Sequence, residues 1–208
     1  MRDLAEGVSR FQRHVHPAKA DLFARLAGHH APHTLFIGCS DARVVPELIT
    51  ASEPGELFVV RTAGNLVPAY TPGPDAVAAG IEYAVAVLGV RDVVICGHSG
   101  CGAMTALAET HDLSGVPAVA GWLRHADASR ARTAARGDVT ALVRQNVLAQ
   151  LATLATHPSV ARALAEGALT AHGWVYDIAT GGVEVLTSAP VPAIPAATDA
   201  PATPAPAA

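Results

Sequence analysis

Apolar positions change their period several times along the chain, and those changes mark out its elements. Up to Gly28, Leu4, Val8, Phe11 and Val15, then Leu22, Phe23 and Leu26, recur near helical spacing. This predicts a helical arm over residues 1–28, split into two segments by Pro17. Short β-rich runs follow at residues 34–38, 57–61, 93–97 and 174–178, each leading into a polar or glycine-containing loop and separated from the next by helical patterns. Asp75 can cap a helix that carries Val77, Ile81, Val85 and Leu88 on one face and closes at Gly89. A second helix over residues 139–155 has Leu142, Val147, Leu151 and Leu154 as its stripe. A last run at residues 183–186 is joined to residues 174–178 by Ala179-Thr180-Gly181-Gly182, a loop with the glycines a tight hairpin needs. The fold class this predicts is α/β, a central, mostly parallel β-sheet with helices on both faces, an antiparallel edge strand and an N-terminal helical arm.

Composition sharpens the picture. Of 208 residues, half are apolar and 15% charged, enough apolar surface for a single core. The last twenty residues hold nine Ala and six Pro with one charge, Asp199, which predicts a single domain over residues 1–188 and a disordered tail over 189–208. A net charge of −4 with no basic run leaves no field to attract nucleic acid. No apolar stretch approaches the ~20 residues that cross a bilayer, so no membrane is expected. The first nineteen residues carry Arg2, Asp3, Glu6, Arg10, Arg13 and Lys19 without an apolar centre, so no secretory signal and a cytoplasmic address are expected. Three cysteines, Cys39, Cys96 and Cys101, are an odd number for such a chain. They argue for thiolate or metal chemistry rather than a disulfide framework.

Two loops concentrate chemistry, and each follows an apolar strand: Gly38-Cys39-Ser40-Asp41-Ala42-Arg43 and Gly97-His98-Ser99-Gly100-Cys101-Gly102. In open α/β sheets ligands bind beyond the carboxyl ends of strands. If the two strands are neighbours, Cys39, His98 and Cys101 meet as two soft thiolates and an imidazole, a set that suits tetrahedral zinc and leaves one position open. A helix predicted from about Gly100 would favour the Cys101 thiolate through its N-terminal dipole. A lone cysteine on an apolar strand is more often a small core residue, and that reading is kept for Cys96, with Gly97 expected to begin the turn. Gly97-His98-Ser99-Gly100-Cys101 lacks the fifth-position glycine of a hydrolase nucleophile elbow, and no phosphate loop or dinucleotide fingerprint is present. Asp41 and Arg43 can pair beside the first thiolate, although a loop ion pair that merely ties a turn is the commoner case.

Taken together, Cys39-x-Asp41-x-Arg43, then Phe58-Val59-Val60-Arg61-Thr62-Ala63-Gly64-Asn65, then Gly97-His98-x-x-Cys101-Gly102, and finally His172-Gly173-Trp174-Val175-Tyr176-Asp177, resemble the β-class carbonic anhydrases over residues 35–186. The resemblance implies that Cys39, His98 and Cys101 ligate one Zn2+ per subunit. It implies that Asp41 either takes the fourth position or pairs with Arg43. It also implies a homodimer or tetramer of dimers, with the arm lying across the partner. Two departures stand out: Ala42 replaces a frequent Ser, and Phe36 stands where a bicarbonate-regulated subgroup carries Trp, while Arg61 matches another residue of that subgroup's pocket.

The reaction so implied is reversible hydration of CO2 to bicarbonate and a proton by a zinc-bound hydroxide. Two thiolates offset the metal's charge, so activity should rise above neutral pH. Asp41 and Arg43 are the expected catalytic residues, and Phe36, Val60 and Leu66 the expected walls of a CO2 pocket. Alternatives are hydrolysis of carbonyl sulfide or carbon disulfide on the same site, or a noncatalytic zinc protein with Asp41 as a permanent fourth ligand.

Overall fold

A computed structural model describes residues 3–187; the tail expected at 189–208 and the domain boundary at 188 lie outside the described residues. Five strands, β1 (Thr34–Cys39), β2 (Leu57–Thr62), β3 (Asp92–His98), β4 (Thr170–Tyr176) and β5 (Val183–Thr187), form one sheet in the order β2-β1-β3-β4-β5. The first four run parallel to their neighbours and β5 closes the edge antiparallel to β4. The helices are α1 (Leu4–Arg10), α2 (His16–Ala18), α3 (Ala20–Leu26), α4 (Pro46–Ile49), α5 (Ala76–Glu82), α6 (Gly102–Ala108), α7 (Pro117–Leu123), α8 (Asp127–Arg132), α9 (Val139–Leu154) and α10 (Pro158–Ala165). Among the described residues no helix is long and apolar enough to cross a membrane.

Strand alternation gives the sheet two apolar faces. On one, Leu35, Ile37, Val93 and Ile95 pack with Val147, Leu151 and Leu154 of α9 and Ile81 of α5. On the other, Phe36, Val94 and Cys96 pack with Val59, Trp174 and Tyr176. Helix α9 approaches the sheet closely because β3 and β4 offer glycines beneath it. A Cβ on Gly97 would fall 2.8 Å from Val147 Cγ2, and one on Gly173 would fall 2.9 Å from Val147 Cγ1 and Leu151 Cδ1. The expected cap of α5 is present, with Asp75 accepting from the backbone N–H groups of Val77 and Ala78, and the segment closes at Gly89 with φ +68.

Two expectations need correction. Strand β4 begins at Thr170, four residues before the predicted run, and ends at Tyr176. His172 and Gly173 interrupt its apolar pattern, although Gly173 is what lets α9 lie down. Asp177 ends the strand because its carboxylate accepts from the Thr180 backbone N–H and hydroxyl. In the arm, Pro17 does not divide the helix. Residues 4–18 are helical without a break, and a wide turn at Phe11–Val15, across which the His16 N–H reaches back to the Phe11 carbonyl, lies just before Pro17 and accommodates its missing N–H. The break falls at Lys19, with φ −121 and ψ 23. The arm's stripe of Leu4, Val8, Phe11 and Val15 is exposed.

The topology also decides where chemistry can sit. Strand β1 has β2 on one side and β3 on the other, so the chain leaves β1 and β3 in opposite directions at their carboxyl ends. That divergence opens a crevice between the two motif loops.

Candidate metal centre

Cys39 is the last residue of β1 and His98 the last of β3, while Cys101 caps α6. Their ligating atoms lie within 4.8 Å of one another, and all three residues are buried. Strand β3 runs one residue past the predicted end, so the turn begins after His98 and not at Gly97. Cys96 nevertheless stays in the sheet packing with Phe36 and Val94. It sits two residues, roughly 6.6 Å, short of the strand end, and burial pushes its thiol up to about 12.

His98 is oriented by its neighbour. Its Nδ1 lies 3.0 Å from the Ser99 carbonyl oxygen, which can only accept, so Nδ1 carries the proton and Nε2 presents its lone pair. That Nε2 is buried and has no hydrogen-bond partner in the protein. A buried imidazole nitrogen without a partner is costly unless something else engages it.

The two thiols are strongly linked. A hydrogen bond from the Cys101 thiol holds Cys39 far below the ordinary cysteine range against the opposing effect of burial, helped by the backbone N–H groups of Asp41 and Gly64. Cys101 is pushed up, first by that bond to Cys39, then by burial and by the Cys39 charge. The backbone N–H groups of Met104 and Ala103 at the start of α6 do favour the Cys101 thiolate as expected, but they lose to its neighbour. Two buried thiols this close ionise together only when a cation lies between them. Two sulfurs and an unpartnered imidazole nitrogen therefore fit a soft or borderline divalent metal, with three protein ligands and a fourth position left over.

Asp41 and Arg43 form a forked pair at the rim. Arg43 Nε donates to Asp41 Oδ1 at 2.9 Å, Nη2 donates to Oδ2 at 2.7 Å, and the Arg43 backbone N–H donates to Oδ1 at 3.0 Å. The same Nη2 reaches the Gly100 carbonyl at 3.1 Å, tying the first loop to the second. The guanidinium bonds hold the Asp41 carboxyl well below the usual carboxylate range. Asp41 Oδ2 lies 3.9 Å from His98 Nε2, so the carboxylate borders the donor cluster.

Of the expected pocket walls, Leu66 packs with Cys39, Cys101 and Met104. Phe36 and Val60 do not join that cluster. Phe36 is turned to the opposite sheet face, edge-on to Trp174, and Val60 lies under Gly80 of α5. The reasons differ: Phe36 alternates away from Cys39 by strand parity, whereas Val60 shares the parity of Thr62, which pairs with Cys39, but lies two residues short of it. Arg61 holds the first loop from beneath, donating to the carbonyls of Cys39, Asp41 and Val44 at 3.1, 2.6 and 2.7 Å.

The sequence did not single out Asn146, Gln150 or Trp122, nor the role of the Gly100 carbonyl as a partner of Arg43. Asn146 and Gln150 had a signal, two amides four residues apart on the buried stripe of α9. Trp122 had none, because nothing local connects it to the cysteine loop.

Comparison with known proteins follows the same lines. The carbonic anhydrase family model matches residues 34–183. A carbonic anhydrase of Pseudomonas aeruginosa is 58% identical over 195 residues, covering 91% of this chain and 89% of that protein. The solved structure of the β-carbonic anhydrase CcaA aligns with a TM-score of 0.82 and 38% identity, covering 88% of this chain and 85% of that one. A chain from two tetrameric β-carbonic anhydrases of Sordaria macrospora aligns with a TM-score of 0.68 and 34% identity, covering 88% and 91%.

Proposed function

The chain belongs to the β-class carbonic anhydrases, and on that premise we propose that it hydrates CO2 with one Zn2+ per subunit held by Cys39, His98 and Cys101. The observation that carries this reading is the buried, unpartnered Nε2 of His98 within 4.8 Å of two thiols. It stands beside a carboxylate that Arg43 holds ionised. When bound, zinc supplies a Lewis acid that lowers the pKa of a water so that it becomes a nucleophile near neutral pH.

The protein's own groups do the rest. An ionised Asp41 has acceptors only, so the reacting oxygen must donate a hydrogen bond to the carboxylate, without transferring the proton, and turn its lone pair toward the carbon of CO2. Arg43 keeps Asp41 in that posture through the forked bonds and, through Gly100, fixes its distance from the loop that carries His98 and Cys101. If the pair opened, Asp41 is near enough to His98 Nε2 to take the fourth position and close the site. Leu66 and Met104 give the thiol side an apolar wall suited to a small apolar substrate. The products are bicarbonate and one proton, which passes to buffer.

A homodimer or tetramer of dimers fits the exposed apolar stripe of the arm, which a lone helix has no way to bury, and fits the tetrameric β-carbonic anhydrases of Sordaria macrospora. Substrate identity is tested by assaying the zinc-loaded protein in parallel, by stopped flow with a pH indicator for CO2 and by sulfide release for carbonyl sulfide. Expected is CO2 turnover far above a Cys39→Ala blank, with sulfide release near the blank. Rapid sulfide release with CO2 turnover at the blank level would overturn the assignment.

A further inference from the structure

Cys39 meets a backbone donor whose own position is fixed from elsewhere in the fold. The Gly64 N–H donates to Cys39 Sγ at 3.4 Å. That N–H belongs to the peptide joining Ala63 to Gly64, and the carbonyl at the other end of the same peptide accepts from Trp122 Nε1 of α7 at 2.9 Å. A trans peptide is planar, with its C=O and N–H pointing in opposite directions. An indole that pulls on the Ala63 oxygen therefore fixes where the Gly64 hydrogen points.

The rest of the turn is held as firmly. The Gly64 carbonyl accepts from Asn146 Nδ2 of α9 at 2.9 Å. Asn146 is itself buried, and its Oδ1 accepts from Ser129 and from Gln150, each at 3.0 Å. Gly64 adopts φ +73, and a Cβ there would come within 3.0 Å of the Ala103 Cβ and 3.1 Å of Met104 Cε. Asn65 follows at φ +49. The turn thus has α6 against Gly64, α9 on one carbonyl and α7 on the other. Trp122 is seated by packing against the Leu66 and Met104 cluster and by an edge-on contact with His125 at 5.1 Å.

We propose that Trp122 is a positioning residue for the metal centre: by holding the Ala63 carbonyl, its indole N–H aims the Gly64 N–H at the Cys39 sulfur and so limits how strongly that thiolate donates to the bound metal. The inference rests on the metal-centre reading above. A hydrogen bond to a thiolate draws electron density from sulfur, and in a polarised chain the indole strengthens the peptide's own donor. Loss of the indole N–H leaves a more electron-rich sulfur and a metal that is a weaker Lewis acid. Partners that orient metal ligands in this way commonly matter by about 10–100-fold in affinity or activity.

The test uses the full chain loaded with Co2+, whose sulfur-to-cobalt charge-transfer absorption reports the thiolate directly, together with zinc-loaded CO2 hydration. Two changes are compared: Trp122→Phe, and replacement of Trp122 by benzothienylalanine, which keeps the indole shape but puts sulfur in place of N–H. Expected in both is a charge-transfer band at longer wavelength than wild type, and about a tenfold lower turnover near neutral pH. If Trp122→Phe fails to fold, the isosteric replacement decides alone. A folded benzothienylalanine protein whose band coincides with wild type overturns the inference and leaves Trp122 a packing residue. Absence of any thiolate–cobalt band in the wild type would instead overturn the metal-centre reading itself.

Discussion

In the Arg43→Ala protein, CO2 hydration falls on the order of 10²–10³-fold while zinc per subunit stays at the wild-type level. The reason lies in what Arg43 touches. Its guanidinium makes two of the three bonds that hold the Asp41 carboxylate, and the survivor is the backbone N–H of residue 43. With the fork gone, the carboxylate can turn toward His98 Nε2, 3.9 Å from its Oδ2, and occupy the position the reacting water needs. Asp41→Ala should lose turnover to a similar extent by the opposite route, through absence of the acceptor, and should also keep its zinc. Stability cannot supply an effect of this size. The Arg43 side chain is 54% exposed, and exposed pairs contribute about 0–1 kcal/mol, whereas a 10²–10³-fold loss of rate corresponds to roughly 3–4 kcal/mol at the transition state. Metal analysis and stopped-flow assays on both variants check this. Zinc lost in step with activity in both would mean the pair only ties the loop.

Removal of a ligand has the larger effect and a different signature. Cys39→Ala, His98→Ala and Cys101→Ala should each hold little zinc after dialysis against a chelator, and each should hydrate CO2 no faster than buffer. The control is Cys96→Ala. Cys96 is as buried as the three proposed ligands, but it packs among Phe36 and Val94 on the far side of the sheet and its thiol stays protonated in the working range. That variant should keep zinc and turnover and lose only packing, on the order of 1 kcal/mol for a small buried side chain. Full zinc in Cys39→Ala, or zinc loss in Cys96→Ala, would contradict the ligand assignment.

How far the sequence carried these conclusions depended on the range of the forces involved. Strands β1, β2 and β3 were legible because their residues are apolar on both faces, as a buried parallel sheet requires. Strand β4 was legible only in part, since Gly173 answers to α9, a constraint between residues far apart in the chain. Pro17 misled for a local reason: the wide turn just before it lets the helix carry a proline, and the break falls two residues later at Lys19. At the site, the cysteine and histidine spacing and the Asp41–Arg43 alternation were visible, because each depends on neighbours within a few residues. Orientation was not. Phe36 and Val60 were expected beside the thiols, but strand parity turns Phe36 to the other face and Val60 pairs with Ile37, two residues short of Cys39. The hold that Trp122 and Asn146 have on the Ala63–Gly64 turn joins residues 59 and 82 positions apart, which no local pattern encodes.

The measurement that bears most directly on how this site works is the pH dependence of CO2 hydration by the wild-type, zinc-loaded protein between pH 6.5 and 9. The Asp41 carboxyl is held well below the usual range, so it stays ionised throughout and contributes no step there. On the proposed mechanism the group that titrates is the reacting water. A zinc site with three neutral imidazoles brings its water to about 7, and two thiolates in place of two imidazoles reduce the net charge and move that value up. The deprotonated form is the active one, so turnover should climb from neutral pH to pH 8.5 and above. Turnover that is flat across this range, or that falls as pH rises, with zinc bound, would contradict a water nucleophile served by two thiolates and Asp41.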